Sequence, residues 1–146
     1  MIQRIQTVYL VLAAACGFGA LALPLATTGK AIESSELFSD AAFTVQDNPG
    51  LLALFAIAGV LAVVAVFLYK NRPVQMKVTR FALIADIVGL VLTVILFWRD
   101  LNNVGAEEIG DGTGAYLPLA FILFAILALR GIRKDENLVR SADRLR

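Results

Sequence analysis

The chain has 146 residues, of which 59% are hydrophobic and 17% charged, and a formal net charge of +1. A soluble domain of this length cannot bury so much apolar surface, so the composition excludes that class and indicates an integral membrane protein. Histidine is absent and Cys16 is the single cysteine, which excludes a disulfide within the chain. The usual ligands of haem, zinc and iron–sulfur centres are therefore missing, as are the bases of Ser-His-Asp and Cys-His catalysis. We expect no cofactor, no metal site and no enzymatic activity.

Four long apolar stretches follow one another along the chain and predict four transmembrane helices, at about 8–26, 51–69, 81–98 and 114–130. A helix needs roughly 17–25 residues to cross about 30 Å of hydrocarbon. The predicted fold is all-α, a polytopic membrane protein with one membrane domain over 1–146, folded as an antiparallel four-helix bundle. Its outer loops are 27–50 and 99–113, its inner link is 70–80 and its cytoplasmic tail is 131–146. Pro73 in the inner link predicts a tight hairpin, because proline does not continue a helix.

The first apolar stretch allows a second interpretation. A positive start followed by an apolar run that ends near Ala20-Leu21-Ala22 is similar to a secretory signal peptide with its cleavage site. We favour a retained helix, because the run is long enough to span the bilayer and cleavage would leave three helices.

The charges of the connecting segments predict the topology. With the N-terminus in the cytoplasm, only Lys30 and Arg99 of the 13 basic residues lie outside, the asymmetry expected of a protein in the cytoplasmic (inner) membrane. Both termini are then cytoplasmic. A basic inner face attracts anionic lipids, by about 1 kcal/mol per nearby basic residue. We prefer the lipid bilayer to nucleic acid as its partner.

The two outer loops differ in character. In the longer one, Leu37, Phe38 and Phe43 are apolar groups in a polar setting, expected to cap the bundle or contact a partner. The glycines of the shorter loop predict a flexible or tightly turned segment. Its acids match no EF-hand spacing, so a solvated acidic loop is the favoured interpretation; they are Asp100, Glu107, Glu108 and Asp111.

Asp86 is the residue most able to carry chemistry, because placing Asp near the centre of a membrane helix costs about 2.5–3.5 kcal/mol. At 100° per residue it shares one narrow, small and polar arc that is expected to face the bundle. The members of this arc are Thr79, Ala82, Asp86, Gly89 and Thr93. Tyr9 lies near the same inner end as a possible hydrogen-bond donor, and Arg4, Arg80 and Arg130 are candidate counter-ions.

Two roles for Asp86 stay open. In the first it is a proton- or cation-coupling site. In the second, which we favour, it is a structural carboxylate that pairs the third helix with the first helix or with a partner subunit, because no second polar group appears at the midplane. The small residues four apart in the helices predict close helix packing; these pairs are Ala13 and Gly17, Ala15 and Gly19, Ala58 and Ala62, and Ala85 and Gly89.

No proline stops the fourth helix after Arg130, so the tail is expected to continue as an amphipathic helix. Its apolar side carries Leu138, Val139, Ala142 and Leu145. The tail either lies on the inner leaflet or docks onto a cytoplasmic partner, and the sequence favours neither.

Both ends of the chain resemble one known family. The start MIQRIQTVYL and the end IRKDENLVRSADRLR are similar to four-helix integral membrane proteins of Bacteroidota that carry a domain-of-unknown-function label. The resemblance implies a location in the cytoplasmic membrane and implies no activity and no catalytic residues.

These observations favour a non-catalytic accessory or structural subunit of a larger membrane complex, or a homo-oligomer. Partners are expected to contact it through its cytoplasmic termini. The expected partner or lipid contacts are Gln3, Arg4, Gln6, Arg133, Leu138, Arg140, Ala142 and Leu145. The alternative is a small homodimeric proton-coupled transporter or channel that uses Asp86. An enzyme acting on lipids would need a nucleophile or metal constellation, which the sequence does not supply.

Overall fold

The fold, seen in a computed structural model that describes residues 3–33, 35–104 and 109–143, consists of four α-helices and three short strands. The helices are α1 (Gln3–Ala22), α2 (Pro49–Phe67), α3 (Arg72–Val104) and α4 (Tyr116–Asp143), and the strands are β1 (Ala26–Thr28), β2 (Ala42–Phe43) and β3 (Ile109–Asp111). Each helix packs against its neighbours in sequence, and α4 closes the ring on α1. This arrangement confirms the predicted all-α bundle.

The two ends of the bundle differ. The hairpin end holds the start of α1, the α2–α3 link and the end of α4, whereas the sheet end holds the three strands. In the described part of the chain, four helices are long and apolar enough to cross a membrane. Their length and composition make the chain a multi-pass membrane protein.

Small residues make the close contacts between helices inside the bundle, and many large apolar residues cover its outside. Ala13, Ala58 and Ala62 are buried, and a Cβ added at Gly17 would lie 3.0 Å from Gly59 Cα. Close backbone approach of this kind is the usual basis of helix association in lipid. Of the predicted small pairs, Ala15 is the exception, because it is exposed.

The third helix begins earlier than predicted, so the inner link is 68–71 rather than 70–80. Asn71 caps it, accepting from Val74 N at 3.4 Å, and Pro73 lies in the first turn, where a missing N–H costs nothing. Buried Gln75 donates to the Ala65 carbonyl at 2.9 Å, satisfying one of the free carbonyls at the end of α2. The tight α2–α3 hairpin is confirmed, but Pro73 does not mark its turn.

The longer outer loop contains strands that the apolar pattern did not predict. β1 pairs antiparallel with β2 and with β3, in the order β2-β1-β3, so the sheet joins both outer loops. The glycine-rich segment packs tightly on this sheet: a Cβ at Gly112 would lie 2.1 Å from Pro24 O, and Gly112 N donates to Leu25 O at 3.1 Å. The shorter outer loop was predicted to be either flexible or tightly turned. Its described part is tightly turned.

The apolar residues of the longer loop cap the sheet end of the bundle. Phe38 and Phe43 are each 1% exposed, and the Phe38 ring meets Phe43 and Phe97 edge-on at 6.3 Å between centroids. Asp100 fixes this cap from α3, where it accepts from Ser35 Oγ and, at 3.3 Å, from Leu37 N. The prediction of a solvated loop is therefore wrong for Asp100, which is buried; Glu107 and Glu108 lie outside the described residues.

Candidate functional site

Asp86 lies near the middle of α3, about 21 Å along the helix axis from Arg72. Its side chain is 0% exposed, and Thr79, Ala82 and Gly89 on the same arc are also buried. The arc therefore faces the interior of the bundle. A side chain in this position cannot reach a partner subunit, so the predicted pairing of Asp86 with such a subunit is wrong.

Both carboxyl oxygens of Asp86 are buried without a hydrogen-bond partner among the residues that the structure describes. The two threonines of the arc direct their hydroxyl groups to the backbone of their own helix. Thr79 Oγ1 donates to Gln75 O at 2.8 Å and Thr93 Oγ1 to Gly89 O at 2.9 Å, while the Tyr9 ring stacks on Phe124 at 6.5 Å. The predicted pairing of Asp86 with α1 through Tyr9 is not formed.

Two of the three predicted counter-ions, Arg80 and Arg130, do not pair with Asp86. Arg80 and Arg130 are exposed and line a groove at the hairpin end, and the side chain of Arg4 lies outside the description. The thiol of Cys16, on α1, is close enough for an electrostatic interaction with Asp86. Among the described residues, no three His, Cys, Asp or Glu side chains come together as metal ligands.

Small and aromatic groups surround this level of the bundle. A buried cluster of alanines and Phe121 fills it, with Cys16, Ala85 and Phe124 packed at its edge. Ionising a buried carboxyl group that has no hydrogen-bond partner among the described residues costs considerable free energy in such apolar surroundings.

A second polar site joins the two terminal helices at the hairpin end. Gln6 on α1 is 4% exposed and Asp135 on α4 is 6% exposed, and Gln6 Nε2 donates to Asp135 Oδ2. Gly131 allows this approach, since a Cβ there would lie 2.8 Å from Gln6 Cγ. The prediction of Gln6 as a partner or lipid contact is therefore wrong. Its partner is 129 residues away, and no local pattern signals such a pair.

The other predicted contact residues lie at the same end or outside the description. Arg133 and Leu138 are exposed on α4, as is Val139 of the predicted apolar side, and the helix continues to Asp143 as predicted. Gln3 and Arg4 start α1, and Arg140 and Ala142 belong to α4. The structure does not describe the side chains of these four residues, and Leu145 lies outside the described residues.

These features define a class: a four-helix membrane protein with a polar contact between its terminal helices and, in the part of the chain that the structure describes, a buried carboxyl group without a hydrogen-bond partner. The chain belongs to the family described as Domain of unknown function (DUF4293), which matches residues 2–145. The match confirms that the chain belongs to a domain-of-unknown-function family. Comparisons with curated proteins and with solved structures give no match.

Proposed function

We propose that the chain is a non-catalytic accessory or structural subunit of a larger cytoplasmic-membrane complex, which it contacts through the hairpin end. The observation that carries this proposal is the end of α4, a segment we name the α4 extension (residues 130–143). It continues the spanning helix without a break and leaves Leu138 51% and Val139 43% exposed.

The α4 extension has the geometry of a docking helix. It adds about 20 Å of helix beyond the apolar stretch, and the Gln6–Asp135 contact holds it against α1. A helix that lies flat on a leaflet would have to bend away from the spanning segment, whereas this one continues it. Two exposed apolar side chains on an otherwise polar helix favour contact with another protein surface.

The charge distribution supports a cytoplasmic orientation of this end. Described basic residues gather at the hairpin end: Arg72, Lys77, Arg80, Arg130, Arg133 and Lys134. The loops and the helix end at the sheet end carry mostly acids, namely Glu33, Glu36, Asp40, Asp47, Asp100 and Asp111. Basic segments are retained in the cytoplasm. We therefore expect the partner to contact the hairpin end on the cytoplasmic side of the inner membrane.

Blue-native electrophoresis with mass spectrometry tests the proposal. In mild detergent the wild-type chain should migrate in a larger complex, and Leu138→Ser with Val139→Ser should release it. The matched control is Leu101→Ser, at a 40% exposed position on α3 at the sheet end, which should leave the complex intact. A wild-type chain that migrates alone would contradict the subunit role.

The buried Asp86 supports a second candidate, a small homodimeric proton-coupled transporter or channel. Intramembrane acids commonly mark proton relays, and this one has no hydrogen-bond partner among the described residues. The variant Asp86→Asn separates the two candidates when proton uptake is measured in liposomes with an entrapped pH dye. A coupling role requires that the wild type take up protons and that the variant, at an unchanged protein level, take up none.

A further inference from the structure

A groove between α3 and α4 at the hairpin end carries three arginine side chains. Its volume is about 200 Å³, and it is lined by Met76, Arg80, Ile126, Leu129, Arg130 and Arg133. The two residues from α3 are one turn apart, and the four from α4 have the i, i+3, i+4, i+7 spacing of a single helix face. One stripe of each helix thus forms one wall of the groove.

The positive charge of this groove is not neutralised by the described residues. Within residues 3–33, 35–104 and 109–143, no carboxylate forms a salt bridge with Arg80, Arg130 or Arg133. Of the acids closest to Arg133 along α4, Asp135 accepts from Gln6, and Glu136 lines a separate cavity near Arg72. Three guanidinium groups are therefore available to one anion.

The position of the groove along the helices indicates what kind of anion fits. The apolar run of α3 begins at Phe81 and that of α4 ends at Leu129, so Arg80 and Arg130 lie where lipid headgroups meet the hydrocarbon. Ile126 lies one helical turn further into the span. The groove is charged at the level of the lipid headgroups and apolar deeper in the membrane. It therefore matches an amphiphile, whose headgroup is charged and whose chain is apolar.

We propose that this groove binds one anionic phospholipid. Its phosphate group is held by Arg80, Arg130 and Arg133, and one acyl chain runs past Leu129 and Ile126 into the bilayer. Guanidinium groups bind phosphate oxygens through paired, charge-assisted hydrogen bonds, and basic pockets between spanning helices are known sites for acidic headgroups. A soluble phosphate or an acidic peptide would leave the apolar residues uncovered. The proposal goes beyond the subunit role, because it concerns the isolated chain.

Native mass spectrometry of the purified full chain in neutral detergent tests the proposal, with phosphatidylglycerol and phosphatidylcholine as separate probes. We expect one phosphatidylglycerol to be retained, bound about 100-fold more tightly than phosphatidylcholine, because each nearby arginine contributes roughly a fivefold factor. The variant Arg80→Gln with Arg130→Gln and Arg133→Gln should lose this preference.

The matched control removes the same charge from the same end but outside the groove. It combines Arg72→Gln, Lys77→Gln and Lys134→Gln, none of which lines the groove, and it should retain the preference within about fivefold. Equal losses in the two triple variants would show diffuse attraction and overturn the site. Displacement of the lipid by glycerol phosphate at equal concentration would show a phosphate site without a lipid and would also overturn it.

A second measurement keeps the test valid if the triple arginine variant does not fold. A phosphatidylglycerol with a photoreactive group on its acyl chain is added to the wild-type chain, and the labelled residues are identified by peptide mapping. Labels concentrated on Ile126 and Leu129 support the site. Labels spread over the lipid-facing surface, such as Phe67, which is 74% exposed, overturn it.

Discussion

Removing the Gln6 side chain should weaken the attachment of α4 to α1 at the hairpin end. In Gln6→Ala the carboxylate of Asp135, 6% exposed, loses the amide that donates to it. A hydrogen bond to a charged group contributes about 1.5–3 kcal/mol, and its loss leaves the buried acceptor unpaired. Since 1.4 kcal/mol is a tenfold change, the ratio of unfolded to folded chain should rise about 10- to 100-fold.

The free energy of unfolding is measured by SDS titration in mixed micelles, together with hydrogen exchange of the amides in 133–143. Exchange there should accelerate in Gln6→Ala, because the α4 extension loses its contact with α1. Asn137→Ala is the control, since Asn137 is exposed on the same helix and surface substitutions usually change stability by less than about 0.5 kcal/mol.

A double-mutant cycle isolates the pair. If Gln6 and Asp135 act through each other, Asp135→Ala should add little to Gln6→Ala, with an interaction energy of about 1 kcal/mol or more. Strictly additive effects, or a Gln6→Ala variant as stable as Asn137→Ala, would refute the reasoning that this contact anchors the extension.

Two further substitutions test the packing of the bundle and of its cap. Gly17→Leu should destabilise the chain by about 1–3 kcal/mol by overpacking, since even a Cβ would lie 3.0 Å from Gly59 Cα. The control Ala15→Leu, at an exposed position two residues earlier, should be tolerated. Equal effects of the two substitutions would contradict the close approach of α1 and α2. Ala41→Gly should stabilise the chain by about 1 kcal/mol, because Ala41 has φ 65°, where an L side chain is strained. Thermal unfolding in detergent measures the gain in stability, with Ala42→Gly within β2 as the control that should lose stability. A loss of stability in Ala41→Gly like that of the control would contradict the strain at Ala41.

The helices were predictable because lipid imposes a simple rule on them, long apolar runs with their backbone groups bonded internally. The periodicity of α3 likewise placed Asp86 on the interior arc. The early start of α3 was not predictable from hydropathy, because Gln75 and Thr79 are polar and their burial depends on bonds to backbone carbonyls. A polar residue at the end of a span gives no sign of whether it bonds to protein or to water.

The strands and the Gln6–Asp135 contact were missed for a different reason. β2 has two residues and β1 three, too few to show the alternation that identifies a strand. Their pairing, like that of Gln6 with Asp135, joins segments far apart in the chain, and only the assembled bundle brings them together. The absence of a hydrogen-bond partner for Asp86 in the described residues is equally a property of packing.

The central position of β1 has a consequence for the order in which the protein is assembled. Ala26 pairs with Phe43 on one side and with Asp111 on the other, so the second pairing must wait until the third helix has been synthesised and inserted. A chain that emerges from N- to C-terminus holds β1 half paired through most of its insertion. The sheet is thus a late closure, and a protease that cuts near Thr28 would report how long the nascent protein stays open.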